Sequence, residues 1–433
     1  MTPKAYPDYV DSGIDWLGSI PSAWKTRPLW SMFERVKDVG HPDEPMLSVF
    51  REFGVVFKAS RANLNKTAEN RDIYQLVGPG WLVTNRMKAW QGSVGISKLR
   101  GIVSGHYLCF RPNHVESAAY LNYLFRSAPL AAAYATLSRG VRIGQAEIDN
   151  DLYRLLPVLL PPRHEQVRIV EYLDSRTARI NLLIEKHERL IETLAERRQA
   201  VISRAVTKGL DSNVRLKNSG IEWLGDVPSN WPIVKVGHAY QVTVGKMLNA
   251  GKELEGGAVA PYLRAANIQP GGLDLSEVKL MVVNVAEKRA LELRRDDVVV
   301  VEGGGGFGRS DVLREDLPGW VFQNHVLRVR PRNADSSEFF DYVMKTINAN
   351  GHVASLSNHA TIPSISSEKL ASIRLALPEA RTQRLIVDHL DRESLQIDAL
   401  AAKAREMINV LRERRQALIS AVVTGKIDVR GLS

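Results

Sequence analysis

The stretch SGIDWLGSIPSAW, from Ser12 to Trp24, returns as SGIEWLGDVPSNW from Ser219 to Trp231. A second stretch behaves alike, because ERRQAVIS at residues 196–203 returns as ERRQALIS at residues 413–420. The first pair is offset by 207 residues and the second by 217, so one copy carries 10 more residues between its motifs (217 − 207 = 10). We therefore predict a tandem internal repeat with two similar surfaces, which suits a twofold or bipartite ligand.

Each copy ends in a long segment with the pattern of a helix. No proline or glycine occurs from Glu165 to Val206, and apolar residues recur there at spacings of three, four and seven. Leu160–Glu196 and Leu377–Glu413 have the same length, which is typical of a spacer. The predicted spacer positions are Leu173, Ile180, Ile184, Ile191, Leu194 and Val201 in the first copy, and Leu390, Ile397, Ile408, Leu411 and Leu418 in the second.

These two helices are expected to pair as an antiparallel coiled coil. Ile184 and His187 of the first copy stand where the second copy has Ala401 and Ala404, so large residues of one helix could pack against small residues of the other. The alternative interpretation of the apolar stripe is one face of an ordinary helical bundle.

The segments between the helices indicate mixed α/β (α+β) domains with short strands. The predicted organisation is two globular domains at residues 1–160 and 211–376, alternating with helical spacers at residues 161–210 and 377–433. Strands are predicted at 81–84, 94–96, 107–110, 297–301 and 326–329, and helices at 116–137 and 337–349.

Bulk composition narrows the function. The formal charge of +10 is a mild bias toward a polyanionic partner. Cys109 is the only cysteine, which excludes a disulfide within the chain and a cysteine-based zinc site. The apolar runs at 155–160 and 298–301 are too short to span a bilayer, and the first residues lack the pattern of a signal peptide. We therefore expect a cytoplasmic protein with no membrane partner.

No catalytic residue and no metal site are predicted. Gly303 and Gly308 stand at P-loop spacing before Arg309-Ser310, but the P-loop lysine is replaced by arginine and Pro318 leaves little room for the following helix. A nucleotide-binding enzyme is therefore the weakest of three hypotheses. The chain also lacks a methyltransferase catalytic loop, and its histidines and carboxylates are too scattered for a metal centre.

Polar and basic residues cluster in loops at matching places of the two copies. Arginine can read guanine, asparagine and glutamine can read adenine, and lysine and arginine hold phosphates. The alternative interpretation is solvated loops. The candidate DNA-binding residues are Arg86, Lys88, Trp90, Gln91, Arg139, Arg142 and Gln145 in the first copy, and Arg264, Asn267, Arg309, Asn324, His325, Asn358 and His359 in the second.

The motifs in their order resemble type I restriction–modification specificity (S) subunits. The resemblance covers the whole chain and depends on the duplicated GI(D/E)WLG motif, on Leu160-Pro161-Pro162 followed by Glu165-Gln166, and on the duplicated RRQA motif before the glycine at each helix end. The second copy departs from the pattern, because Thr382 stands in place of the glutamate before Gln383.

The resemblance implies a non-catalytic subunit whose two domains each read one half of a bipartite, asymmetric site in double-stranded DNA. It also implies that the helix pair sets the gap and docks two modification (M) subunits, which methylate adenine N6 with S-adenosylmethionine. Two restriction (R) subunits that use ATP and Mg would complete the complex, so no cofactor is expected on this chain. The alternative function is a non-catalytic coiled-coil scaffold whose basic surface is incidental.

Overall fold

The computed structural model describes residues 4–60, 70–139, 146–248, 257–356 and 363–431. The chain divides into two compact units, one formed by residues 1–188 with 405–433 and the other by residues 189–404. Each unit therefore contains one mixed α/β region together with one portion of each long helix.

The first unit is built from short strands around three short helices, followed by the first long helix. Its strands are β1 (Tyr9–Asp11), β2 (Ser19–Pro21), β3 (Lys25–Pro28), β4 (Phe33–Val36), β5 (Leu47–Phe50), β6 (Gly54–Phe57), β7 (Gln75–Val77), β8 (Leu82–Asn85), β9 (Val94–Ile96), β10 (Gly101–Val103), β11 (Tyr107–Pro112), β12 (Ser138–Arg139), β13 (Glu147–Ile148) and β14 (Pro157–Leu160). Its helices are α1 (Ala118–Phe125), α2 (Ala128–Thr136), α3 (Asn150–Arg154) and the long α4 (Arg163–Lys208), with 3-10 turns at Leu29–Ser31, Lys58–Ser60 and Ala89–Gln91.

The centre of the first unit is an antiparallel sheet in the order β4-β11-β8-β9. Neighbouring residues of a strand point to opposite faces. Leu82 and Phe110 accordingly join the larger core with α1, whereas Val83 and Cys109 pack with Leu47 on the other side. Burial on both faces explains why these strands read as apolar runs without alternation.

The second unit repeats this plan. Its strands are β15 (Leu216–Asn218), β16 (Asp226–Pro228), β17 (Ile233–Lys235), β18 (Tyr240–Val244), β19 (Ala258–Leu263), β20 (Ile268–Gln269), β21 (Gly272–Leu273), β22 (Lys279–Val283), β23 (Val298–Val301), β24 (Ser310–Val312), β25 (Val321–Phe322), β26 (Val326–Pro331) and β27 (Arg374–Ala376). Its helices are α5 (Val236–Ala239), α6 (Val285–Leu291), α7 (Ser337–Ala349), α8 (His352–Leu356), α9 (Ser367–Ser372) and the long α10 (Ala380–Val423), with a 3-10 turn at Ala265–Asn267.

Its central sheet has the order β18-β26-β23-β24, again antiparallel. Val298 and Val300 face the core that contains Phe339 of α7, whereas Val299 and Val301 face a second apolar cluster. The units differ at their margins. The first carries the pairs β5–β6 and β7–β10, where the second carries a three-stranded sheet β22-β19-β25 and the pair β20–β21.

The long helices begin and end where the sequence predicts. Proline precedes both, and their ends are closed by Gly209 at φ 74° and Gly425 at φ 76°, the left-handed conformation that glycine adopts without strain. The strands predicted in both copies are confirmed as β8, β9, β11, β23 and β26. The single helix predicted over 116–137 is wrong in one respect, because it is broken between Phe125 and Ala128. Pro129 begins a new helix there, since its missing N–H is tolerated in a first turn.

Candidate nucleic-acid interface

In the first unit, three predicted reading residues share one tight turn after β8. Lys88 precedes the 3-10 helix that contains Trp90 and Gln91, and Gly92 closes it at φ 85°. Lys88 and Gln91 are exposed, whereas Trp90 is partly buried and its indole N–H donates to a carbonyl of the same turn at 3.1 Å. The turn therefore exposes the Lys88 ammonium and the Gln91 amide, while the partly buried Trp90 ring packs beneath them.

Arg86 and Arg139 lie on either side of Glu147 in the same unit. The Arg86 Nη2 contacts the Glu147 Oε2 at 2.9 Å. Arg139 stands opposite Glu147 in the β12–β13 register, and its Nε lies 3.1 Å from the Asp149 Oδ2. The structure thus brings together two predicted cations that are 53 residues apart in sequence (139 − 86 = 53).

Four predicted reading residues lie in the ranges 140–145 and 357–362, outside the described residues. They are Arg142, Gln145, Asn358 and His359. They stay predictions.

In the second unit, three predicted residues meet at one edge of the three-stranded sheet. The strands β19 and β25 are parallel, and their last residues Leu263 and Phe322 are register partners. Because parallel strands end at the same edge, Arg264 after β19 lies near Asn324 and His325, which follow β25. This edge was not evident from the sequence, because the order of strands in a sheet is a long-range property.

Asn267 has an internal role. It is buried, with 4% of its surface exposed. Its Oδ1 accepts the backbone N–H of Arg264 at 3.0 Å, and its Nδ2 donates to the carbonyl of Asp274 at 2.7 Å. These contacts hold the loop that follows β19 and leave little of the amide for a base, so they favour a positioning function over direct reading.

The predicted cations are mostly already paired with carboxylates at the surface. The pairs are Arg86–Glu147, Arg139–Asp149 and Arg264–Glu277, and the His325 Nδ1 lies 3.3 Å from the Glu302 Oε2. Exposed ion pairs of this kind are each worth about 0–1 kcal/mol. The pairing therefore contributes little to the stability of either unit.

The glycine-rich loop before Ser310 connects two antiparallel strands. It joins β23 to β24, and no helix follows Ser310. The Ser310 hydroxyl is buried and donates to the Asp341 Oδ1 at 2.6 Å. Gly308, at φ 72°, approaches Asn348 so closely that a Cβ would stand 2.7 Å from its Oδ1. The loop lacks the strand–loop–helix geometry of a phosphate-cradling P-loop, which counts against the nucleotide hypothesis.

Arg309 extends from this loop into a cleft of about 650 Å³ in the second unit. Its Nη1 donates to the carbonyl of Ile268 at 2.8 Å. Arg198 and Asp398, from the two long helices, line the same cleft, and Lys345 of α7 joins them. The Arg309 side chain is therefore held by the sheet while it faces a polar groove beside the helices.

Each α/β region is fixed to a long helix by two side-chain hydrogen bonds, and the two bonds are equivalent in the two units. The sequence did not reveal them. In the first unit the Gln166 Oε1 accepts the N–H of Ser117 at 2.9 Å, and the Tyr123 hydroxyl donates to Asp174 at 2.6 Å. The corresponding contacts of the second unit are Gln383 with Ser336 at 2.7 Å and Tyr342 with Asp391 at 2.6 Å. Both helix residues recur at an offset of 217, the offset of the RRQA motif.

We call these paired glutamine and tyrosine contacts the joints. Burial and the neighbouring carboxylate raise the pKa of the tyrosine in each joint. Burial, with the hydrogen bond to Asp174, raises the pKa of Tyr123 to about 12. The pKa of Tyr342 is raised further, by burial and then by Asp391. Both hydroxyls therefore stay protonated donors over the physiological pH range.

The first unit contains a buried carboxylate at the start of its long helix. Glu165 is 2% exposed, and its Oε1 accepts from the Tyr6 hydroxyl and, at 3.2 Å, from the Trp24 indole N–H. Trp24 belongs to the duplicated motif, so the motif packs where the helix begins. The second copy has Thr382 in place of Glu165, so this carboxylate contact belongs to the first unit.

Within each unit, side chains of the two long helices touch. In the second unit Leu194 packs with Ile397 and Ala401, and the Arg198 Nη2 donates to the Asp398 Oδ2 at 2.5 Å. In the first unit the Arg415 Nη1 donates to the Asn181 Oδ1 at 2.5 Å, and the Arg412 Nη2 to the Glu188 Oε1 at 3.3 Å.

The predicted spacer positions differ in their burial. Eight of them are buried, namely Leu173, Ile180, Ile184, Leu194, Leu390, Ile397, Ile408 and Leu411. Ile191, Val201 and Leu418 are partly buried. His187 is partly buried, and its counterpart Ala404 is buried.

Within the described ranges, no group of three or more histidine, cysteine or carboxylate residues is arranged to hold a metal ion. Across the same part of the chain, every helix is too short or too polar to cross a bilayer.

Residues 228–409 match the family model of the type I restriction modification DNA specificity domain. The chain is therefore similar to the specificity subunits of type I restriction–modification systems. The matched range contains most of the second unit, including every described candidate residue of the second copy.

Curated relatives agree with this assignment. The chain is 22% identical to the type I restriction enzyme MjaVIII specificity subunit of Methanocaldococcus jannaschii, over 72% of this chain and 71% of the relative. It is 26% identical to the EcoKI specificity subunit of Escherichia coli, over 39% of this chain and 36% of the relative. The likeness to the StySPI specificity subunit of Salmonella potsdam has the same extent.

Solved structures share the fold of this chain. One chain, from a study of complex assembly and conformational transition of the type I R-M system, superposes with a TM-score of 0.67 at 16% identity, over 93% of this chain and 98% of the other. The HsdS subunit of Thermoanaerobacter tengcongensis has a TM-score of 0.51 at 16% identity, over 94% and 98% of the two chains.

Proposed function

We propose that this chain is the non-catalytic, sequence-reading subunit of a type I restriction–modification complex, and that each unit reads one half of a bipartite DNA site. The observation that carries the proposal is the duplicated joint. The Gln166–Ser117 and Tyr123–Asp174 contacts recur as Gln383–Ser336 and Tyr342–Asp391. Two α/β regions held on helices by equal contacts, with different residues in their outer loops, suit two different half-sites.

The proposed reading residues are the described candidates of each unit. In the first, Arg86, Arg139, Lys88 and Gln91 would meet one half-site. In the second, Arg264, Asn324, His325 and Arg309 would meet the other. Arginine and amide side chains are the ones that distinguish bases in the major groove, and lysine and arginine also contact phosphates.

The proposed spacer is an antiparallel coiled coil of α4 with α10. The buried positions along α4 recur at alternating spacings of three and four residues, from Leu173 through Thr177, Ile180 and Ile184, which is the seam of a coiled coil. The positions at an offset of 217 in α10 follow the same spacing, and the Leu194–Ile397 and Arg415–Asn181 contacts support pairing within each unit. A paired rod of fixed length would set the unspecified gap between the half-sites and relate the two units by an approximate twofold axis.

The proposed docking surface for the modification subunits is the outer apolar stripe of the helices. Leu183 and Leu190 of α4 are exposed, and so are Leu400 and Met407 of α10. The two pairs are related by the offset of 217, and each pair is separated by one heptad. Exposed apolar residues repeated at equivalent places suit two copies of one protein partner. S-adenosylmethionine would bind to those M subunits, and ATP with Mg to two R subunits.

The proposal is tested by exchanging residues 1–160 for the corresponding domain of another specificity subunit and mapping methyladenine in a host that supplies the modification partner. A split, asymmetric motif is expected for the native chain, and the exchange should change one half of it. A change in both halves would contradict the assignment of one domain to one half-site. Methylation without any split motif would instead favour the scaffold alternative.

The spacer has its own test. Insertion of about one helical turn after Ile184, roughly 5 Å of helix, should lengthen the unspecified gap by one or two base pairs at about 3.4 Å each. Both half-sites should stay as they are. The same methyladenine map gives the readout, and an unchanged gap would exclude the helix pair as the ruler.

A further inference from the structure

A cleft of about 500 Å³ in the first unit is lined by four arginines. Arg51 comes from the β5–β6 turn, Arg126 follows α1, and Arg412 and Arg415 belong to α10. The carboxylates that line it are Glu52 and Glu413. Its formal charge is therefore +2 (4 − 2).

Arg126 is held in place without a carboxylate partner. Its Nη2 donates to the carbonyls of Arg51 and Glu52, and its Nε is buried without a hydrogen-bond acceptor. Among the described residues, no carboxylate forms an ion pair with Arg51, Arg126 or Arg415. Burial and the nearby Arg415 lower the pKa of Arg126. A guanidinium of this kind lacks one anion, because a buried charge is ordinarily paired.

The equivalent place in the second unit already contains its anion. Arg198 occupies the position of Arg415 at an offset of 217, and it pairs with Asp398 at 2.5 Å. The residue that corresponds to Asp398 in the first unit is Asn181, whose neutral Oδ1 accepts from Arg415 at the same distance. The corresponding arginines of the two clefts thus face an amide in the first unit and a carboxylate in the second.

The cleft continues into the turn that carries Lys88 and Gln91. The aliphatic stem of Arg51 lies against Gly92, where an added Cβ would stand 3.6 Å from the Arg51 Cγ. A DNA strand read by that turn would pass within reach of the guanidinium groups. This continuity favours DNA as the source of the anion over an acidic side chain of a protein partner.

We propose that the arginine cleft of the first unit binds one backbone phosphate of the DNA beside the half-site read by that unit, and that the second unit has no such phosphate site. The inference rests on the proposed DNA-reading function. Arginine is suited to this task because its planar group makes paired hydrogen bonds with phosphate oxygens. The contact would fix the register of the first domain on the duplex and carry no sequence information itself.

The decisive variant is Asn181→Asp, which gives the first cleft the carboxylate that the second one has. Asn181 is exposed and the change keeps its size, so folding should be retained, as thermal unfolding can verify. In complex with its modification partner, the variant should bind the cognate duplex about 5- to 10-fold more weakly, and the slope of log affinity against log salt should decrease by about 1. The preference for the cognate over a scrambled duplex should be unchanged.

The matched control is Asp398→Asn, the reciprocal change in the second unit, which should not lower DNA affinity. A duplex series with single neutral methylphosphonate linkages supplies the second arm. One linkage beside the first half-site should weaken binding of the native protein and have no effect on Asn181→Asp.

The outcomes separate the alternatives. Equal affinity and equal salt slope for Asn181→Asp and the native chain would overturn the phosphate site while leaving DNA reading intact. Weaker binding of the modification partner with normal DNA affinity would also overturn it, since the cleft would then hold a protein carboxylate. Failure of the native complex to prefer its cognate duplex would instead refute the proposed function itself.

Discussion

The two units share one frame and differ in how their charges are balanced. Each has a four-stranded antiparallel sheet in the same order and the same glutamine and tyrosine joint to its helix. The first unit has Glu165 beneath its tryptophan motif, where the second has Thr382, and the second has Asp398, where the first has Asn181. The repeated contacts are those that both domains use to attach to a long helix, and the unmatched charges mark where the two domains differ.

The largest effects are expected at the buried glutamines, because both units depend on them alike. Gln166→Ala and Gln383→Ala each remove three side-chain hydrogen bonds, and each leaves a serine N–H without its acceptor. We expect each to lower the local free energy of unfolding by about 3 kcal/mol. Hydrogen exchange of α1 and α7 would measure this, with each variant affecting its own unit. If only one of the two variants had a large effect, the two joints would not be equivalent.

A smaller effect, confined to the first unit, is expected for Glu165→Gln. The Oε1 acceptor is retained, but the hydrogen bonds from Tyr6 and Trp24 lose a charged partner. We expect a loss of about 1.5 kcal/mol, seen as faster hydrogen exchange in the segment that contains Trp24. Thr382→Val, at the matching position, should cost less than about 0.5 kcal/mol. Comparable losses in the two variants would show that Glu165 has no special role.

The tyrosine hydroxyl of each joint is expected to contribute equally in the two units. Tyr123→Phe and Tyr342→Phe each delete one hydroxyl that donates at 2.6 Å to an aspartate. Each should cost about 1 kcal/mol in its own unit, with no change of half-site sequence, because the hydroxyl is bonded to an aspartate of the helix. Altered specificity in either variant would mean that the joint also sets the reading geometry.

The smallest effect concerns alkaline pH. Because the pKa of Tyr123 is raised to about 12 in the folded chain, against about 10 in an unfolded chain, unfolding releases its proton between these values. Stability should be unaffected below pH 10 and should fall as the pH rises from about 10 to 12. Tyr123→Phe should make this fall less steep, as measured by the pH dependence of the unfolding midpoint, whereas a fall of unchanged slope would exclude Tyr123 from the titration.

The helices, the main strands and the repeat could be predicted from sequence because each has a local signature. Proline before α4, glycine after it and the spacing from Leu173 to Val201 are all visible along the chain. The spacer residues were predicted from this spacing, since helical periodicity decides which face of a helix is buried, and their function as a spacer stays a prediction. The break between α1 and α2 was missed because Pro129 is compatible with a first turn as well as with a loop.

The joints and the arginine cleft could not be predicted, because they depend on pairs far apart in sequence. Nothing near Tyr123 indicates Asp174, and Arg51 meets Arg126 only through the packing of the β5–β6 turn. Asn267 was chosen for its residue type, and only the fold shows that its amide is used internally. A sequence signal did exist for the joints, since Asp174 and Asp391 share the offset of the RRQA motif.

The first unit contains Val422, Val423 and Val429 in its core, and the Tyr9 hydroxyl donates to the carbonyl of Gly425 at 2.8 Å. A ribosome releases these residues after it has released all of residues 189–404. All residues of the second unit therefore emerge before the last residues of the first unit's core, and the domain that was made first keeps an open apolar side until those residues follow. Stalled or nicked chains that end near residue 404 should expose this side and become targets for chaperones and proteases.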